Sequence, residues 1–220
     1  MITNSPGIRI RHRGALPQVH PTAYVAPTAT LVGDVRIGPH ARVMYGAVLD
    51  AEGAFIEVGE ATAVCENAVL RASAVAGDQP VVLGDHVFVG PHATLLGCAV
   101  ERCSYVATSA SVLQEARVGA GSVVAVAALV HARAVLPEEF FVPPHMLALG
   151  DPVRLLAPGD PAVPQAISQV GFAGVAFGVD PSGGDRMARY EKITEVRVNE
   201  FAAHRDDEVV TSPETEAAAG

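Results

Sequence analysis

Several features that would support common kinds of site are scarce in this sequence. Among 220 residues there is no tryptophan, aromatic side chains make up 5%, and cysteine occurs 3 times. Three cysteines are too few for a disulfide framework, and Cys65, Cys98 and Cys103 match no zinc-knuckle spacing. We therefore expect them to be reduced and buried, because free cysteine packs as a small hydrophobic residue.

Long apolar runs and an excess of positive charge are also missing. No stretch of about eighteen uncharged apolar residues occurs. The first 14 residues carry charges where a signal peptide has its apolar region. The formal net charge is −9 at pH 7, whereas nucleic acids and anionic membranes attract basic surfaces. We predict a cytoplasmic, soluble protein that binds neither nucleic acid nor membrane.

What dominates the sequence is a six-residue period from Val19 to Leu136. An aliphatic residue opens each of 18 hexads, and a mostly small residue follows four positions later. Helices have a period of about 3.6 and hairpin strands a period of 2, so neither produces this pattern. A short strand followed by a corner, three to a coil, does produce it. The repeat predicts an all-β parallel β-helix of about six coils, with the aliphatic residues inside.

The repeat is interrupted at Asp50–Phe55 and at Ala76–Pro80, where extra residues are inserted. We expect these insertions to bulge outward as functional loops. After Leu136 the pattern dissolves into a proline-rich segment that predicts an end cap. The predicted organisation is a β-helix domain at 15–157, an irregular connection at 158–185, an amphipathic C-terminal helix packed on the coil at 186–205 and a disordered acidic tail at 206–220.

Motifs along the coil carry a resemblance to a known family. The segments HPTAYVAPTATLVGDVRIGPHARV, LDAEG, VLRAS, VFVGPHATLLGC and VLPEEFFVPP occur in this order. In these motifs the chain resembles the gamma-class carbonic anhydrases over about residues 15–155. The resemblance implies a left-handed β-helix, an exception to the usual right-handed crossover rule. It also implies a homotrimer with active sites between subunits, and a C-terminal helix along the coil.

The resemblance locates the family's three zinc-binding histidines, and all three are replaced. Arg71 stands at the first position, and Pro91 and Leu96 stand at the two histidines of the family's V-x-H-x-x-x-x-H-G motif. Zinc-dependent hydration needs three protein ligands and an open position. Only Glu52 matches the family's proton-shuttling glutamate, and Glu66 corresponds to an aspartate of the family site. We therefore expect no zinc and no other cofactor at this inter-subunit site.

His92 lies next to Pro91 and could act as a displaced ligand, with His86 six residues earlier. Two histidines are one fewer than a three-ligand site requires. In the alternative interpretation both are polar corner residues, as His40 and His131 are elsewhere in the repeat.

Three functions stay open from the sequence. The first is a scaffold or a binder of a small anion or carboxylate, because the Arg71 guanidinium can hold a planar anion through two parallel hydrogen bonds. Alternatively, Arg71 only pairs with Glu52 or Glu66 across the interface. The second is a coenzyme A-dependent acyltransferase, which needs a histidine base that neither insertion supplies. The third is an active carbonic anhydrase with substituted ligands.

A homotrimer has one further argument in its favour. Leu96 occupies an outward position of its hexad, beside the inward Leu95. On a monomeric coil this side chain would be exposed, so its position favours an interface between subunits.

Overall fold

The structure is a computed structural model and describes residues 7–180 and 185–210. The chain winds into a parallel β-helix with three strands per turn. Phe88–Val89, for example, pairs in parallel with Ala63–Val64 of the preceding turn and with Tyr105–Val106 of the next. Stacking of this kind satisfies the backbone groups of every turn through its neighbours.

One side of the coil is a seven-stranded sheet of two-residue strands. In each strand the second residue points inward and is fully buried, while the first points outward. The strands are Tyr24–Val25, Arg42–Val43, Ala63–Val64, Phe88–Val89, Tyr105–Val106, Val123–Val124 and Phe141–Val142.

The other two sides merge into one 15-stranded sheet, because the strands Thr30–Ile37 and Val48–Val58 continue around a corner. One of these sides contains Gln18–Val19, Val81–Leu83, Ala99–Val100, Arg117–Val118 and Val135–Leu136. The other contains Ile8–Arg11, Val69–Ala72, Thr94–Leu96, Ser111–Val112, Leu129–Val130, Leu147–Leu149 and the antiparallel strand Arg154–Leu156.

The core is a continuous column of the aliphatic residues that the repeat predicts to be inside. The fully buried members include Leu31, Val43, Leu49, Val64, Leu70, Val89, Leu95, Val106, Val112, Val118 and Val124. The prediction of a β-helix with a C-terminal helix is confirmed. The seven-stranded side has seven levels, and the side that begins with Ile8–Arg11 has eight, so the coil has about eight turns rather than about six. The coil is longer because Ile8–Arg11 precedes the repeat and Phe141–Val142 and Leu147–Leu149 continue it beyond Leu136.

The first insertion does not form the expected loop. Its residues belong to the strand Val48–Val58, which pairs with Thr30–Ile37 and absorbs the extra residues at a register shift between Gly33 and Val35. This arrangement buries Asp50 and Glu52. The second insertion is a turn closed by pairing of Ser73 with Gln79.

The segment at 158–185, predicted to be irregular, contains two short helices, α1 at Val163–Val170 and α2 at Phe172–Phe177. Both helices end at a glycine with left-handed backbone angles, Gly171 and Gly178. Each helix is therefore too short to show a helical period in the sequence. Helix α3, Arg186–Phe201, continues into a 3₁₀ helix at Ala202–Asp206 and confirms the predicted C-terminal helix.

A strand at Glu208–Val210 pairs antiparallel with Ile8–Arg11, where a disordered tail was predicted. The backbone of Ile8–Arg11 offers an open edge that this segment completes. The rest of the predicted tail, 211–220, lies outside the described residues. None of the helices in the described ranges has the length and hydropathy that crossing a membrane requires.

Candidate functional site

The six residues predicted for the site separate into two groups. Arg71 and Leu96 are direct neighbours on adjacent parallel strands, and both occupy outward positions. Glu52 lies on the preceding strand of the same side, whose register pairs Asp50 with Arg71. Arg71 and Leu96 line one pocket, and Glu52 is linked to it through its ion pair with Arg197.

Glu66, Pro91 and His92 lie at a corner of the coil instead. The His92 amide donates a hydrogen bond to the Glu66 carbonyl at 3.0 Å, and the His92 side chain is exposed. His92 has a left-handed φ of 60°, and His40 and His86 occupy the same kind of turn with φ of 57°. This geometry agrees with the interpretation of His86 and His92 as polar corner residues of the coil.

His131 does not fit that interpretation. Its side chain is 5% exposed and lies edge-on against the Phe172 ring, with centroids 5.6 Å apart. Burial lowers the pKa of the imidazole, and a hydrogen bond with the Ala132 backbone opposes this in part. The corner position of that hexad is taken by Arg133, which has the left-handed φ.

The Arg71 pocket has a volume of about 200 Å³. Side chains of helices α2 and α3 of the same chain contribute to its lining. Its lining combines two guanidinium groups, polar side chains and apolar side chains, contributed by Arg71, Ser73, Leu96, Gly97, Gln114, Phe172, Ala176, Phe177 and Arg197.

Each insertion in the repeat helps to position this pocket. The first supplies Glu52, whose carboxylate accepts a hydrogen bond from Arg197 of α3 at 3.0 Å. The second supplies Gln79, whose side-chain amide donates to the Val175 carbonyl of α2 at 2.7 Å. Both helices are therefore held against the coil by residues that interrupt the hexad pattern.

Two ion pairs hold the two arginines of the pocket. Arg71 Nε donates to Asp50 Oδ2 at 3.3 Å, and Arg197 Nη2 donates to Glu52 Oε2 at 3.0 Å. The Phe201 ring lies beneath both guanidinium groups, 5.4 Å from that of Arg71 and 4.5 Å from that of Arg197. The partner of Arg71 is therefore Asp50, and the expected pairing with Glu52 or Glu66 does not occur within the chain.

Several oxygens beside these arginines have no hydrogen-bond partner among the described residues. They are Oδ1 of Asp50, Oε1 of Glu52 and Oε1 of Gln114, and all three are buried. Burial raises the pKa of the Glu52 carboxyl, and Arg197 counteracts this. Unpaired buried acceptors are costly, so these atoms favour a ligand or water that donates to them.

The residues at the family's metal positions do not fit zinc. Arginine is always protonated, leucine has no donor atom, and the proline nitrogen is part of an amide. The Arg71 guanidinium is held beside Asp50 and adds positive charge where the family places a cation. Arg71, Pro91 and Leu96 thus offer no ligand atom.

The sequence did not predict the residues that the helices contribute to the pocket. Arg197, Phe172 and Phe177 are brought to Arg71 by the helices at the end of the chain, and no local pattern marks them. Asp50 was placed in an insertion, but its pairing with Arg71 follows from the strand register alone.

The three cysteines differ in environment. Cys98 is buried as expected, and burial raises the pKa of its thiol to about 12. Burial also raises the pKa of the half-buried Cys65. Cys103 is exposed, contrary to the expectation, because it occupies a left-handed corner.

Curated relatives include plant gamma carbonic anhydrases. The chain is 34% identical over 143 residues to "Gamma carbonic anhydrase 1, mitochondrial" of Arabidopsis thaliana, an alignment that covers 64% of this chain and 50% of the relative. It is 40% identical over 98 residues to "Gamma carbonic anhydrase 3, mitochondrial" of the same plant, covering 43% of this chain and 38% of the relative. The chain thus spans half or less of the length of these relatives.

Further matches are to a curated bacterial protein and to a solved structure. The chain is 30% identical over 121 residues to "Carnitine operon protein CaiE" of Escherichia coli, covering 54% of this chain and 59% of that protein. A solved hexapeptide transferase family protein from Anaplasma phagocytophilum matches with a TM-score of 0.48 and 23% identity, covering 86% of this chain and 95% of that one. No protein-family profile matches the chain. The similarity is to gamma carbonic anhydrases, on a β-helix of hexapeptide repeats.

Proposed function

We propose that this gamma-carbonic-anhydrase-like protein has lost zinc-dependent CO₂ hydration and binds a small carboxylate or bicarbonate in the Arg71 pocket. The observation that carries the proposal is the Arg71 guanidinium, which lines the pocket and is only partly engaged. Among the described residues, Arg71 makes one side-chain hydrogen bond, from Nε to Asp50. Its two terminal nitrogens are available to bind a planar anion.

The size and lining of the pocket narrow the ligand class. A volume of about 200 Å³ holds a few heavy atoms and is smaller than ordinary drug-sized sites. Leu96, Phe172 and Phe177 supply apolar wall beside the two arginines. A short-chain carboxylate, with its charge on Arg71 and its tail against these side chains, matches this lining.

The unpaired Oε1 of Gln114, a residue that lines the pocket, supports the same ligand class with one refinement. An acceptor oxygen needs a donor, so a carboxylate that also carries a hydroxyl or amino group would satisfy more of the site than acetate does. Glu52 and Asp50 balance the charges of Arg197 and Arg71, so binding rests on directed hydrogen bonds rather than on net positive charge.

The absence of zinc and of any other cofactor at the positions of Arg71, Pro91 and Leu96 belongs to this proposal, since these three residues have no lone pair to donate. A role as a scaffold, a cytoplasmic location and a homotrimeric state are also proposed. The outward Leu96 no longer supports a trimer, because helix α2 of the same chain covers it. Support now comes from the outward face of the seven-stranded sheet, where Tyr105 and Phe141 are 43% and 55% exposed.

The alternatives have less support from the described residues. A coenzyme A-dependent acyltransferase needs a histidine base, and no histidine is among the residues lining the pocket. An active carbonic anhydrase with substituted ligands would have to use the Ser73 hydroxyl or the Gln114 amide, which are poor zinc ligands.

Titration calorimetry with acetate, butyrate, 3-hydroxybutyrate and bicarbonate tests the proposal. We expect saturable binding that Arg71→Lys weakens by about tenfold or more, because lysine cannot form the two parallel hydrogen bonds. Arg36→Lys is the matched control, since Arg36 also pairs with a carboxylate, Asp34, but lies at the surface.

A lack of saturable binding at millimolar anion, or equal affinity in wild type and Arg71→Lys, would contradict the proposal. Saturable binding of coenzyme A would favour the acyltransferase. Hydration of CO₂ above background by the metal-loaded protein would favour the substituted carbonic anhydrase.

A further inference from the structure

Two histidines and an aspartate meet where the two ends of the described chain come together. His12 follows the strand Ile8–Arg11, His204 lies in the 3₁₀ helix after α3, and Asp207 precedes the strand Glu208–Val210. One ligand atom from each residue lies within 4.8 Å of the other two. We call these three residues the His12 cluster.

Both imidazoles direct Nδ1 at the same carboxylate. His12 Nδ1 is 2.6 Å from Asp207 Oδ1, and His204 Nδ1 is 2.9 Å from Asp207 Oδ2. The two rings stack with centroids 4.3 Å apart. Two imidazole nitrogens and one carboxylate oxygen are a ligand set that zinc accepts in three-ligand sites, with a further position open to water.

The second nitrogen of His12 provides an independent argument. His12 is 1% exposed, and its Nε2 is 3.2 Å from the backbone carbonyl oxygen of Glu52. When Nε2 carries a proton and donates to this carbonyl, Nδ1 is the nitrogen that is left for a metal. Histidines that bind metals are held in this way, with the far nitrogen donating to a carbonyl. Nδ1 and Asp207 Oδ1 now lie at a hydrogen-bond distance of 2.6 Å, so a bound metal replaces the proton between them and moves the two atoms apart.

The Arg13 guanidinium contacts His12 on the other side of the ring. Its Nε is 3.3 Å from His12 Nε2, away from Nδ1, and its Nη2 is paired with Glu200 at 2.9 Å. This pairing with Glu200 offsets its charge, and Asp207 supplies a negative charge on the ligand side.

We propose that His12, His204 and Asp207 bind one divalent transition metal, Zn²⁺ or a metal of similar ligand preference, which fastens the C-terminal segment to the first strand of the coil. Imidazole and carboxylate ligands suit zinc, nickel and copper better than calcium or magnesium. The site is separate from Arg71, Pro91 and Leu96. The strand Glu208–Val210 pairs with Ile8–Arg11 directly beside it, so the metal closes an end of the molecule.

The test is Zn²⁺ titration of untagged, chelator-stripped protein by calorimetry, with thermal unfolding measured with and without Zn²⁺. We expect one Zn²⁺ per chain and a rise in unfolding temperature with Zn²⁺. His204→Ala and Asp207→Asn should each weaken binding by more than about a hundredfold, since each removes a direct ligand. His20→Ala, which removes an exposed histidine elsewhere, should bind as wild type does.

If a variant fails to fold, X-ray absorption spectroscopy of the wild-type zinc complex still tests the proposal, because it reports the ligands of the metal. Two imidazoles in the zinc ligand shell are expected. The proposal is overturned by a lack of saturable Zn²⁺ binding, by a shell without imidazole, or by unchanged affinity in folded His204→Ala and Asp207→Asn. Unchanged zinc affinity in these folded variants would mean that the metal binds elsewhere on the chain.

Discussion

Burial of the His131 imidazole against Phe172 makes the stability of this protein depend on pH. The ring is almost inaccessible, and its Nδ1 has no hydrogen-bond partner among the described residues. Burial disfavours the charged form and holds the pKa of His131 below its ordinary value of 6.5. The neutral imidazole is therefore the form that fits the folded chain.

The sign of the pH dependence follows from linkage. Below about pH 6.5 the unfolded chain binds a proton at His131 that the folded chain does not, so the free energy of unfolding falls as the pH falls. We expect His131→Gln to reduce this loss when urea unfolding is measured between pH 7.5 and about pH 5. His20→Gln is the control and should keep the wild-type slope, because His20 is exposed. A wild-type slope in His131→Gln would show that other groups cause the acid sensitivity.

Single residues also show how far the sequence could predict the site. The family motifs identified Arg71 and Leu96, and strand register makes them neighbours, so this half of the pocket was predictable. Arg197 was not, because it meets Glu52 across 145 positions of chain through a helix with no distinctive motif. The burial of His131 was also missed, since helix α2 covers it from outside the repeat.

At the scale of elements, each turn of the coil depends on an inward aliphatic side chain. The hexad period determined the strands, their inward residues and the parallel stacking, because all three follow from one repeated local pattern. Helices α1 and α2 were not predictable in the same way. They are short, end at glycines, and gain stability from packing on the coil rather than from their own sequence.

Leu70→Ala tests the packing of the coil. Leu70 is fully buried between Leu49 and Leu95 of the adjacent turns, and stacked strands cannot easily collapse around a void. We expect a loss of about 2 to 5 kcal/mol in the free energy of unfolding, measured by denaturant titration at fixed protein concentration. Val126→Ala, at a position 48% exposed, should change it by less than about 0.5 kcal/mol. A Leu70→Ala loss similar to that of the control would contradict the described core.

At the scale of the whole molecule, the outward face of the seven-stranded sheet carries exposed aromatic side chains that suit self-association. Phe88 and Tyr105 stack there with ring centroids 5.0 Å apart, and Phe141 lies two turns beyond Tyr105 on the same side. Exposed apolar patches of this kind commonly mark interfaces.

We expect sedimentation at micromolar concentration to give three times the chain mass of 22.7 kDa. The double variant Tyr105→Lys and Phe141→Lys should shift the protein to the mass of one chain, because it places charge in the proposed interface. Met187→Lys, at a residue 74% exposed on α3, should leave the trimer intact. Wild-type protein that sediments as a single chain would refute the homotrimer.

The central proposal is that the Arg71 pocket binds a carboxylate and holds no zinc. A crystal soaked in 5-bromo-2-furoate, a carboxylate whose ring-bound bromine is not displaced by thiols, with anomalous data collected at the bromine and zinc edges, tests it most directly. The account predicts a bromine peak in the pocket between Arg71 and Arg197, with the carboxylate on the Arg71 terminal nitrogens, and no zinc peak there. A zinc peak in this pocket, or a pocket without 5-bromo-2-furoate while other surfaces of the protein bind it, would contradict the account.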